Sequence, residues 1–209
     1  MPLTQLTQLT PDISFALWHI EESLPAMEAQ YDFNEADRVV LSQHKVESRK
    51  MEWLSARLAL NALMKAQGLT TKTIYKDDCG KPHIAESEAH ISISHTTGWG
   101  AAVLSKAGPV GIDIEFPKPQ VQRIARKFLH ADERTWTGED MERLTWVWSA
   151  KEALYKLHGR TQLIFASQLY IHAPEAVYPG KGEIREAGEC EAYRLHFEKH
   201  DNLITCITF

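Results

Sequence analysis

Two runs of strict alternation flank a break at Gly108-Pro109, and that punctuation constrains the fold of this chain more than any other feature. On one side, residues 90–95 (HISISH) put Ile91 and Ile93 on one face of a strand and Ser92 and Ser94 on the other. Thr97-Gly98 then turns the chain into a second strand, 99–105 (WGAAVLS). On the other side, 110–116 (VGIDIEF) starts a new strand, ended by Pro117 and Pro119. Residues 13–20 (ISFALWHI) also read as a strand. Helical spacing dominates 34–67, stopped at Gly68, and returns in 121–130 and strongly in 142–158, where Gly159 follows the last helical residue. Residues 163–172, 191–197 and 203–209 read as β. The order is strand–helix–strands, then strand–helices–strands. It predicts an α+β fold of two similar halves, residues 1–107 and 108–209.

With 209 residues, 44% of them hydrophobic and 24% charged, the chain has an ordinary globular balance and material for a buried core. A net charge of −5 argues against a general nucleic-acid binder, so an anionic ligand must be met by a local basic pocket. Cys79, Cys190 and Cys206 are far apart, odd in number and without a CxxC pair, which suggests reduced thiols rather than a disulfide framework or a zinc site. No apolar run approaches the ~20 residues of a membrane span, and the N-terminus lacks the regions of a signal peptide. The expectation is a soluble, cytoplasmic protein without membrane contact.

Asp113 and Glu115 lie two apart on the strand VGIDIEF and share a face, about 7 Å apart along the chain. Such carboxylates repel unless a cation lies between them, and hard oxygen ligands favour Mg²⁺. Taken alone, the pair reads first as an ordinary amphipathic strand with a solvated acidic face. In the helix TWVWSAKEALYKLHG, Glu152 and Lys156 are one turn apart and Lys151 adjoins Glu152. Alone, that is a surface Glu–Lys pair, but two tryptophans and a tyrosine around it point to a half-buried helix. Arg49, Trp53 and Arg57 fall at i, i+4 and i+8, and the two guanidiniums suit a phosphorylated ligand or a solvated face. Gly80-Lys81-Pro82 reads first as a turn with an exposed lysine. Ser94-His95 ends a strand just before a turn, where functional residues are often carried. P-loop, dinucleotide-binding, GxSxG and HExxH motifs are all missing.

In this order, Arg49 with Arg57, GKPHI (80–84), ISISHT (91–96), VGIDIE (110–115) and WSAKEALYK (148–156) resemble the 4'-phosphopantetheinyl transferase superfamily, in its surfactin-type, single-chain branch. GIDIE followed about thirty-five residues later by WSAKEALYK is the diagnostic pair. The resemblance implies a pseudo-dimer of two α+β halves with the active site in the cleft between them. It implies a holo-[acyl-carrier-protein] synthase: coenzyme A as donor, a serine of an apo acyl or peptidyl carrier protein as acceptor, and adenosine 3',5'-bisphosphate as by-product. Asp113, Glu115 and Glu152 become ligands of Mg²⁺, with Mn²⁺ as an alternative. Glu152 and Lys156 become the catalytic pair, Lys156 on the pyrophosphate with Lys151 nearby. Arg49 and His95 match positions at the 3'-phosphate of coenzyme A, Arg57 joins Arg49 among the donor contacts, Lys81 lies near the adenine and Ser94 near the phosphates. SHT stands where the family carries SHS. Because carrier proteins of the family are acidic, the basic stretch RIARKFL, with Arg123, Arg126 and Lys127, is the expected docking surface. Two internal halves make a monomer sufficient. The competing functions are a Mg²⁺-dependent nucleotide phosphohydrolase and a non-catalytic carrier-binding protein.

Overall fold

The computed structural model describes residues 2–69, 73–159, 162–173 and 180–209. The chain divides into two compact units, Met1–Asp78 with Pro82–Gly108, and Cys79–Lys81 with Pro109–Phe209.

In the first unit β1 (Leu3–Gln8) and β2 (Ile13–His19) precede α1 (Leu24–Glu28), α2 (Glu35–Gln43) and α3 (Glu47–Ala66). β3 (Ile74–Lys76), β4 (Pro82–Ile84), β5 (His90–Thr96) and β6 (Trp99–Ser105) follow. They form an antiparallel sheet of order β1-β2-β6-β5-β4-β3. The β5–β6 hairpin turns where the sequence places it: Thr96 pairs with Trp99, and Gly98 supplies the φ of +76° that the turn needs. α3 lies across β6, β2 and β5, burying Leu54, Leu58 and Leu63 against Trp18, Ile91 and Leu104. The helical stretch 34–67 is two helices rather than one. Asn34 caps α2 by accepting from the Asp37 amide, and the backbone turns extended at His44 before α3 begins.

The second unit opens on β7 (Gly111–Glu115), then α4 (Pro119–Phe128), α5 (Ala131–Thr137) and α6 (Met141–His158). α7 (Phe165–Gln168), β8 (Leu169–Ile171), β9 (Gly180–Glu186), β10 (Glu189–His200) and β11 (Leu203–Thr208) complete it. The sheet order is β7-β11-β10-β9-β8, again antiparallel. α6 covers β7 and β11, with Val147, Leu154 and Leu157 packed among Phe128, Leu195 and Cys206. The reading of 163–172 as one strand is corrected. Only Leu169–Ile171 pairs with β9, while the Gln168 side chain accepts from the Ile164 amide and closes a helical turn before it. α5 starts on a capping box in which His130 and Glu133 satisfy each other's backbone amides. Gly159 ends α6 in the left-handed region at φ 104°.

Candidate functional site

The closest approach in the second unit sets its chemistry. β7 runs under α6 at Gly111, where an added Cβ would sit 2.0 Å from the Ala153 carbonyl oxygen. Only glycine allows this contact. Two residues on, along the same face, Asp113 points toward α6 and accepts from Lys156 Nζ at 2.9 Å. Lys156 also donates to the Ile112 carbonyl at 3.0 Å. Both partners of the ion pair are close to 90% buried, so the attraction is far less screened than a surface pair. Glu115 accepts from the Phe116 amide at 2.9 Å and from Lys118 Nζ at 2.8 Å. Glu152 lies one turn before Lys156 on α6, half-buried.

The structure therefore brings Asp113 and Lys156 together, with Glu115 on the same strand face and Glu152 on the facing helix. Among the described residues no three His, Cys, Asp or Glu side chains are gathered closely enough to hold a metal ion as they stand. Cys206, paired across the sheet with Asp113, is fully buried. Burial, and then the Asp113 charge, push its thiol well above the usual range, which leaves carboxylate oxygens as the available donors at this point of the sheet.

In the first unit a residue that the motif reading passed over organises two that it named. Glu52, buried on α3, accepts from Arg49 at 2.8 Å and lies 3.8 Å from His95 Nδ1. Arg49 and His95 keep exposed faces while sharing this one carboxylate. The signal for Glu52 was its i, i+3 spacing from Arg49, which alone does not separate a buried anchor from a solvated pair. Ser94 is buried and points to the face of β5 opposite His95, as alternation requires.

Two residues expected to contact the donor lie buried in the structure. Arg57 is buried, its guanidinium 3.4 Å from the centre of the Trp53 ring and 3.6 Å from Asp37, which also accepts from the Tyr31 hydroxyl. It is a buried cation, unlike the exposed Arg49 about two turns earlier. Lys151 has no exposed surface at all. Its ammonium pairs with Glu133 at 2.6 Å and donates to the carbonyls of Phe128 (2.7 Å) and Phe165 (3.0 Å). Burial lowers this lysine to about 8, against the opposing pull of Glu133. All of these partners lie inside the second unit. Lys81, read as an exposed turn lysine, donates to the Leu157 carbonyl at 2.6 Å, at the C-terminal end of α6 where a cation is favoured. On α4, Arg123, Arg126 and Lys127 are exposed, while Val121 and Phe128 are buried.

Residues 109–206 match the model of the 4'-phosphopantetheinyl transferase superfamily, and residues 35–105 match the 4'-phosphopantetheinyl transferase N-terminal domain. The chain belongs to the 4'-phosphopantetheinyl transferase superfamily. Within it, the relatives point to the surfactin-type branch with its two-half fold. The chain is 38% identical over 87 residues to the 4'-phosphopantetheinyl transferase psf-1 of Bacillus pumilus, covering 39% of this chain and 37% of the relative. It is 30% identical over 101 residues to gsp of Aneurinibacillus migulanus (46% and 42%), and 34% over 87 residues to Sfp of Bacillus subtilis (39% and 38%). The matches span about half or less of each relative's length. No helix among the described residues is long and apolar enough to cross a membrane.

Proposed function

We propose that this chain transfers the 4'-phosphopantetheine arm of coenzyme A to a serine of an apo carrier protein, releasing adenosine 3',5'-bisphosphate. The observation that carries this reading is the buried Lys156–Asp113 pair, which joins the helix and the strand of the two family motifs at 2.9 Å. Asp113, Glu115 and Glu152 are the residues that would hold a Mg²⁺ ion. The fit rests on their donor chemistry: carboxylate oxygens with no thiolate or imidazole, for an ion that completes its shell with water and phosphate oxygens. When bound, the ion would neutralise the pyrophosphate and polarise the attacked phosphorus.

The chain's own groups do the rest. The serine oxygen forms a bond to the β-phosphorus of coenzyme A as the bond from that phosphorus to the nucleotide oxygen breaks. Glu152 takes the serine proton, and Lys156 stabilises the charge on the departing phosphate oxygen. Arg49 and His95 meet the 3'-phosphate, with Glu52 holding both in place. The exposed cations of α4 receive the acidic surface of the carrier.

Intact mass of an apo carrier incubated with the protein, coenzyme A and Mg²⁺ tests this. One phosphopantetheine is expected per carrier, lost with chelator and lost when the carrier serine is replaced by alanine. Unmodified carrier beside released phosphopantetheine would mean hydrolysis and would overturn the proposal.

A further inference from the structure

The buried Lys151–Glu133 pair has no part in the chemistry above, yet both of its side chains are wholly buried and bonded. All three protons of the Lys151 ammonium have acceptors: Glu133, the Phe128 carbonyl and the Phe165 carbonyl. Glu133 in turn accepts from the His130 amide and the Ile171 amide, both at 2.7 Å. One side chain of α6 is thereby tied to the end of α4, to α5, to α7 and, through Glu133, to the edge strand β8. Neither charged side chain of the pair has any exposed surface.

The position along α6 gives the cluster its meaning. At about 100° per residue, Ala153 lies about 200° around the helix from Lys151, and Glu152 and Lys156 lie between them, at about 100° and 140°. Ala153 is the residue pressed against Gly111 of β7. The helix is therefore held by backbone contact on one flank and by the ion pair on the nearly opposite one, with Leu154 and Leu157 packed into the core on the arc behind them. The other arc presents Glu152 and Lys156. Apolar packing is non-directional and tolerates a small roll, whereas the ion pair fixes the angle, and a small roll would carry Lys156 off Asp113.

From this we infer that Lys151, with Glu133, is a positioning residue: it fixes the rotation of α6 that presents Glu152 and Lys156, and links that rotation to α4. The inference rests on the transferase reading. It does not place Lys151 in contact with donor, acceptor or reacting atoms.

The test uses two variants of the full chain. Lys151→Met removes the pin but strands the Glu133 carboxylate among apolar neighbours, and such a buried unpaired charge can prevent folding. Lys151→Met/Glu133→Gln removes both charges, and replacement of a buried pair by neutral groups is often tolerated. Each folded variant is assayed well below its own unfolding midpoint, for kcat, for the KM of coenzyme A and for Mn²⁺ affinity by electron paramagnetic resonance. The expected result is a fall in kcat of about ten- to hundredfold, the scale of a misplacement near 1 Å. The KM of coenzyme A should change less than threefold, and Mn²⁺ should bind several-fold more weakly as Glu152 is displaced. A double variant that folds and turns over at the wild-type rate overturns the inference, because the pair would then serve stability alone. Wild-type protein that modifies no carrier would instead refute the functional reading, and the two failures are told apart by the wild-type control.

Discussion

Replacing Gly111 with alanine is the sharpest single perturbation of the second unit. The new Cβ would meet the Ala153 carbonyl oxygen at 2.0 Å, its carbonyl carbon at 2.9 Å and the Leu157 amide nitrogen at 3.0 Å. These are helix backbone atoms, so no side-chain rotation relieves the clash. A carbon–oxygen contact settles near 3.3 Å, so β7 and α6 must part by about 1.3 Å. Overpacking of this kind costs about 1–3 kcal/mol, and the rigidity of both elements favours the upper half of that range. At 4–8 °C per kcal/mol for a unit of this size, the melting temperature should fall by about 10–20 °C. The same movement stretches the 2.9 Å Lys156–Asp113 bond beyond hydrogen-bonding range. Turnover of the folded variant should drop by about 10²-fold. Gly108, with open space where its Cβ would go, is the control, and Gly108→Ala should stay within about 0.5 kcal/mol of wild type. Thermal unfolding by circular dichroism, paired with the carrier mass assay, reads both effects. A Gly111→Ala protein that melts within about 2 °C of wild type and modifies carrier at the normal rate would refute the reasoning.

Three other outcomes follow from the same geometry. Lys156→Ala should lower kcat by about 10²-fold or more and also raise the KM of coenzyme A, whereas Glu152→Gln should depress kcat more than donor binding; wild-type steady-state rates for Lys156→Ala would move leaving-group stabilisation elsewhere. Burial alone would raise the Glu183 carboxyl, but hydrogen bonds from Arg185, His172 and Lys181 outweigh it and hold it down at about 2. Its stabilisation is therefore present above the ordinary value of 4.5 and lost as pH falls toward 2; discounted for the exposure of its partners, it is worth about 1–2 kcal/mol. Glu183→Gln should flatten the acid limb of the stability curve in that window, and an unchanged limb by urea titration would discount the cluster. Arg126→Glu should raise the KM for carrier several-fold with the KM for coenzyme A unchanged, and salt should weaken the wild type more than the variant; equal carrier kinetics at low salt would place docking elsewhere.

What the sequence discloses divides along physical lines. The β5–β6 hairpin, the shared face of Asp113 and Glu115, and the α6 helix are legible because each rests on local periodicity and a turn residue. β1, α5 and β9 escape it, since LTQLTQ, ADERTWT and GKGEIRE are short and polar, and their edges are set by tertiary pairing and a capping box. The burial of Arg57 and Lys151 is hidden for a common reason. Cations are almost always exposed unless paired, and their partners Asp37 and Glu133 lie about twenty residues upstream, beyond the reach of any spacing rule. Glu52 is hidden differently: its sequence neighbour Arg49 is visible, but the convergence with His95 exists only once α3 lies on the sheet.

That convergence leads to one more prediction. In the first unit Gly100 is to α3 what Gly111 is to α6. An added Cβ there would meet the Ala56 nitrogen at 2.3 Å and the Ser55 carbonyl carbon and hydroxyl at 2.4 Å. Gly100 pairs directly with His95 across the hairpin, so the point of closest approach and the imidazole share a face of the sheet. Glu52 lies one turn before Ala56 on the helix so held, which is why it reaches both His95 and Arg49. Each unit thus places its polar cluster beside a glycine that lets a helix backbone touch a strand. Gly100→Ala should force α3 off β6 and separate Glu52 from His95. Because Arg49 and His95 are the proposed contacts for the donor's 3'-phosphate, the loss should fall on donor binding: the KM of coenzyme A should rise about tenfold or more, with a smaller change in kcat. Gly111→Ala should show the opposite balance. Dephospho-coenzyme A, which lacks the 3'-phosphate, provides the discriminating measurement. Wild type should prefer coenzyme A over it, and Gly100→Ala should lose most of that preference. If the variant keeps the full preference while its melting temperature falls, Glu52 serves only the packing of α3, and the 3'-phosphate is held by other residues.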